Sequence, residues 1–156
     1  MSKKYNNYNN TNNSLNINIE ELKGSRVTLN NDKNKYLILF PGDINFITQV
    51  EDLLTFVKTE FEKLQENEEE IAENLTEEEQ VKVFNERLGK IKDILNTVKS
   101  KFNSAFNDDN AYERIFGTVA DIQLIIIVIT RVYEYAVSLR EKENRVTENY
   151  TAKYRK

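Results

Sequence analysis

FNSAFNDDNAYERIFGTVADIQLIIIVITR, residues Phe102 to Arg131, is the stretch that decides how this chain folds. It passes through an Asn/Asp-rich loop and the short block AYERIFG into a segment with six consecutive large aliphatics, Leu124 to Ile129. Six adjacent side chains on a helix point around its whole circumference, so no single neighbour can cover them. Such a helix is either the central element of a small bundle or a surface waiting for a partner. LIIIVI is also β-rich, and a buried strand is the local alternative. The length of the segment and its periodicity from Asp121 to Leu139 favour a helix.

Within that helix the main stripe is Ile122, Ile125, Ile129, Val132, Ala136 and Leu139, while Leu124, Ile127, Val128 and Tyr135 form a second apolar face. Thr118 and Asp121 have the spacing of a capping box, which sets the expected start of the helix. Gly117 stands where a C-terminal cap would stop the short turn through Tyr112, Ile115 and Phe116. Beyond Arg140, REKENRVTENYTAKYRK loses the stripe and reads as a charged tail, helical at first and then fraying.

Upstream, two further amphipathic helices are expected. Ile47, Val50, Leu54, Val57, Phe61 and Leu64 alternate steps of three and four, with Phe46 and Leu53 widening the stripe, and Asp43 is placed to cap a helix opening at Ile44. Phe84, Leu88, Ile91, Leu95, Val98 and Phe102 repeat the pattern, and Thr76 with Glu79 supplies a capping box. Gly89, inside this second stripe, either permits a close helix crossing or is simply tolerated. Between the two helices lie eight glutamates from Glu66 to Glu79, an acidic hinge best read as solvated.

The N-terminal part has period two instead. Leu15, Ile17 and Ile19 alternate with Asn, then RVTLN and KYLILF follow, separated by Asn30 to Asn34, whose Asn and Asp side chains suit left-handed turn positions. Pro41-Gly42 ends the sheet. The expected fold is therefore α+β and mainly α: a short N-terminal β-hairpin or meander over residues 15–40, followed by a bundle of three long helices at about 44–66, 77–106 and 118–142. Residues 15–142 make one domain. Residues 1–14 are a polar Asn-rich arm expected to be disordered, and 143–156 a charged tail.

Composition excludes more than it assigns. The 156 residues hold no Cys and no His, which removes disulfides, thiolate nucleophiles, His-based triads and the commonest zinc ligands. None of the four glycines belongs to a phosphate-binding loop. The net charge of −4 carries no basic run, so nucleic acid is not an expected partner. Asp108 and Asp109 lack the glycine and distal glutamate of a calcium loop and read as loop caps. No catalytic residue, cofactor or metal site is expected, and the chain is not read as an enzyme. The run near Ile126 falls short of the roughly 20 residues that span a bilayer, and no secretory signal is readable. A cytoplasmic protein without a membrane segment is expected.

The order of parts resembles the tail assembly chaperones of long-tailed phages and of phage-tail-like particles from low-GC bacteria. The similarity lies in FPGDINFITQVEDLL, the glutamate-rich hinge, the joint KSKFNSAFNDDNAYERIFG, the apolar helix after it, and a close on ENYTAKYRK. In those relatives the joint takes the form aromatic, variable, Phe-Gly, acidic residues, Ile/Phe-Phe-Gly, and the chain closes on Lys-Tyr. Here these survive as AFNDDNAYERIFG and AKYRK, with Asn107 where glycine is common and the Asn-rich arm added. The resemblance spans residues 25–156. It implies a non-enzymatic role in the host cytoplasm: binding and solubilising the tape measure protein and helping to recruit tail tube subunits. The expected partner-binding residues are Leu124, Ile127, Val128 and Tyr135. They are to be covered either by the N-terminal sheet, through Val27, Leu29, Leu37 or Leu39, or by a client, or by another copy in a homo-oligomer. The alternative role is a structural or adaptor subunit of a virion that uses this face as its interface.

Overall fold

The computed structural model describes residues 24–69, 75–119 and 121–155. The expected arm at 1–14, the alternating residues Leu15, Ile17 and Ile19, and the middle of the acidic hinge lie outside the described residues. Among the described residues, two strands and four helices follow one another: β1 (Ser25–Leu29), β2 (Asp32–Leu39), α1 (Ile44–Glu69), α2 (Glu77–Ala105), α3 (Ala111–Phe116) and α4 (Ile122–Tyr154). The fold is α+β and mainly α, with one antiparallel hairpin leading into helices.

The hairpin closes through Asn30 and Asn31, both at positive φ (52° and 58°), the backbone that a two-residue turn between twisted strands requires. Asp32 then bonds its own chain, its carboxylate accepting from the Asn34 N–H at 2.9 Å. Ser25, Arg26, Val27 and Thr28 pair with Leu39, Ile38, Leu37 and Tyr36, and the ladder is irregular between Thr28 and Leu29. Alternation therefore sends Val27, Leu37 and Leu39 to one face and Arg26, Thr28 and Tyr36 to the other. Leu37 and Leu39 are fully buried.

Pro41 ends the ladder, and the Asp43 carboxylate caps α1 by accepting from the Asn45 N–H at 2.9 Å. On α1, Phe46, Val50, Leu53, Leu54, Val57 and Leu64 are buried. Thr76 and Glu79 form the expected capping box at the start of α2. Both α2 and α4 pack on α1, which is the central helix. The all-round apolar helix is therefore not the central element of the bundle; α4 flanks it, packed on α1.

Three expectations need correction. The first concerns the helix start. Asp121, and not Thr118, caps α4, its carboxylate accepting from the N–H groups of Gln123 and Leu124. Gly117 takes φ 60° and Val119 N–H bonds back to the Phe116 carbonyl, so the reversal uses the residues that the capping-box reading assigned to the first turn. The second concerns the end of α4, which runs unbroken to Tyr154, about 50 Å in all. No Gly or Pro interrupts it, and Glu141 and Arg145 stand four apart, a spacing that supports a solvated helix.

The third concerns α2. Phe84 and Leu88 belong to its apolar stripe but are 59% and 40% exposed, as is Val81 at 61%. Only Val98, Phe102 and Ala105 are buried on this helix. The apolar surface of α1 stops at Leu64 and gives way to exposed Gln65 and Glu66, so the first turns of α2 have little to pack on. Gly89 is not a crossing point, because an added Cβ there would meet open space.

Candidate interaction groove

The hairpin has two edges, and the helices treat them differently. Along β2, α3 packs directly on the strand. Arg114 of α3 donates from Nε to the Tyr36 carbonyl at 3.0 Å and lays its guanidinium over the Tyr36 ring at 4.2 Å. Four of the six residues of α3 are buried: Ala111, Tyr112, Ile115 and Phe116. Their rings join a cluster in which Phe102 lies 4.7 Å from Phe106, 5.5 Å from Phe116 and 6.0 Å from Tyr112, centroid to centroid.

The Asn/Asp loop holds that cluster shut. Asn103 donates to the Asp109 carbonyl at 2.7 Å and accepts from the Tyr112 N–H at 2.8 Å, while Asp108 accepts from Asn110 N–H and pairs with Arg114. The hydrogen bond from Arg114 holds the Asp108 carboxyl below its ordinary value, against the opposing effect of burial. Burial pushes the Tyr112 phenol up. The carboxylate of Asp108, considered above for calcium, is thus occupied in closing the loop.

Along β1 nothing comparable is present among the described residues. Between this strand and α4 lies a groove of about 540 Å³, lined by Val27, Thr28, Leu29, Asn30 and Leu39 on the hairpin and by Leu124, Ile127, Val128, Arg131, Val132 and Tyr135 on α4. Leu39, Val128 and Val132 are buried and form its base. Leu124, Ile127 and Tyr135 form its rim, at 41%, 53% and 46% exposed. Among the described residues of the lining, Arg131 is the one that carries a charge.

All four expected partner-binding residues, Leu124, Ile127, Val128 and Tyr135, therefore line a single concavity. Val128 is buried at its base, and the other three stay about half exposed. The stripe expected to serve the bundle does so, with Ile125, Ile129, Val132 and Ala136 buried. Arg131 was not singled out by the sequence, since a lone charge in a polar-apolar alternation carries no signal of its own. Nor was the exposed patch Val81, Phe84 and Leu88, because its stripe has the same spacing as a buried one.

The length and composition of Ile122–Lys153 would also suffice to cross a membrane, which the count of six aliphatics understated. A core helix passes the same test, and one face of α4 is packed against α1. Comparison with protein-family models, with curated proteins and with solved structures finds no match.

Proposed function

We propose that this chain is a non-enzymatic tail assembly chaperone of a phage or phage-tail-like particle. It binds and solubilises the tape measure protein and helps to recruit tail tube subunits. The observation that carries this reading is the groove between β1 and α4: an open apolar trough whose rim residues stay exposed although the adjoining stripe Ile125, Ile129, Val132 and Ala136 is buried. Contiguous exposed apolar surface of this kind marks interaction sites. A helix laid in a groove anchors through residues at i, i+3 and i+4, a mode open to a long helical client such as a tape measure protein. The joint AFNDDNAYERIFG supports the reading as resemblance only, since its residues build the sealed side of the hairpin.

Co-expression with the tape measure protein of the same genome is the test. The chaperone reading expects the client to become soluble and to co-purify; a client that stays insoluble and shows no association at micromolar concentration would overturn it. The alternative, a structural or adaptor subunit, draws on the second exposed patch, Val81, Phe84 and Leu88. Mass spectrometry of purified particles separates the two, because a chaperone is missing from the finished tail and a structural subunit is present.

A further inference from the structure

The first half of α2 carries an apolar seam that stands exposed. Val81, Phe84, Leu88, Ile91, Leu95 and Val98 advance by alternating three and four residues, the spacing that turns one line of side chains toward a partner helix. From Leu95 onward the partner is the chain's own core: Leu95 packs against it, and Val98 and Phe102 are buried. Before that point the seam turns away. Val83, Ile91 and Ile94 are half-buried, and at about 100° per residue Val81, Phe84 and Leu88 are centred about 100° around the helix from them. These three are 61%, 59% and 40% exposed.

We propose that this seam pairs with the same seam of a second copy, antiparallel, about a two-fold axis beside Asn85. The flanking residues decide the occupant. With Val81 and Leu88 at a and Phe84 and Ile91 at d of a heptad, the e positions are Glu78, Asn85 and Lys92. All three are exposed. An acid and a base thus stand one heptad before and one heptad after a neutral centre. Antiparallel helices set e against e, so the axis lays Glu78 of each copy beside Lys92 of the other, and Asn85 beside its own counterpart. In the same register Phe84 meets Leu88, and Val81 meets Ile91, of the second copy.

A surface that complements itself on reversal is what an isologous two-fold interface requires. A foreign helix demands no such symmetry. Parallel pairing sets g against e, which would place Arg87 beside Lys92 of the second copy and bring the two acidic first turns, Glu77 to Glu79, together. Like charges oppose that arrangement. The paired length from Glu78 to Lys92 is about 21 Å, so the interface is small and the dimer weak and concentration-dependent. The proposal is independent of the client reading, because the groove lies on α4 and the hairpin.

The chain has no cysteine, so single thiols report the pairing in the full-length protein. With a short bifunctional thiol cross-linker, Asn85→Cys is expected to give covalent dimers, whereas Glu78→Cys alone and Lys92→Cys alone give few. Mixing the last two should restore cross-linking. Dimers as abundant from Glu78→Cys alone as from Asn85→Cys, or none from any combination, would overturn the proposal.

Sedimentation without cross-linker gives an independent readout. The wild-type mass should double as concentration rises, while Phe84→Glu stays monomeric with its thermal transition unchanged. Ile127→Asp, on the other apolar surface, should dimerise as the wild type does. A wild type that is monomeric up to about 1 mM, a Phe84→Glu variant that dimerises normally, or loss of the dimer in Ile127→Asp would each contradict an α2 interface.

Discussion

The two edges of the hairpin are built from the same kinds of residue and end in opposite states. Beside β2, α3 buries Tyr112, Ile115 and Phe116 in a cluster of rings, and Arg114 bonds the strand's own carbonyl. Beside β1, Leu124, Ile127 and Tyr135 stand 41–53% exposed over a trough. The difference is a filler. A six-residue helix, pinned by Asn103 and Asp108, plugs one side, and no described element plugs the other. Apolar residues in a sequence thus mark surface that has to be covered, without saying whether the cover comes from the same fold or another protein.

The comparison can be broken or sharpened by substitution, and the largest effects belong to the sealed side and the buried stripe. Ile125→Asp, at a position 1% exposed, places an unpaired charge in the core and should abolish the cooperative thermal transition seen by circular dichroism. Phe102→Ala removes the ring shared by three aromatic contacts and should cost about 3–5 kcal/mol in urea unfolding. Arg114→Ala leaves the Tyr36 carbonyl without its donor and should cost about 1–3 kcal/mol. It should also raise hydrogen exchange along β2, which would make the two edges alike.

Smaller effects are expected from caps and titration. Thr76→Ala removes the capping box of α2 at a cost of about 1 kcal/mol, with no change at either hairpin edge. Asp108 has a folded pKa below its ordinary value of 3.8, so its pairing with Arg114 stabilises fully above that value and is lost as pH falls through the folded pKa. The partly exposed pair should contribute less than about 1 kcal/mol. Urea midpoints measured below pH 4 should show this loss in the wild type and not in Arg114→Ala.

Much of the fold was legible because its signals are local. Asn30-Asn31, Asp43, Thr76 with Glu79, and Gly117 each act on backbone within a few residues, and each does in the structure what its chemistry suggests. Thr118 does not cap α4, because Asp121, three residues on, is itself an excellent cap and the reversal after Gly117 uses the intervening residues. The exposure of Phe84 and Leu88 was not legible, since it depends on where the apolar stripe of α1 stops. The division of α4 into a bundle stripe and a second face was readable from spacing. That the second face meets β1 across a groove, with Arg131 in its lining, depends on the placement of the hairpin, which no local pattern encodes.

The central claim is that the open side, and in particular the rim of the groove, is where a client binds. Ile127→Asp tests it most directly, by circular dichroism for the fold and co-purification with the tape measure protein for the function. At 53% exposure the substitution should leave the thermal transition within about 1 kcal/mol of wild type while client association is lost. An unfolded variant, or a folded one that binds the client as well as wild type, would contradict the account.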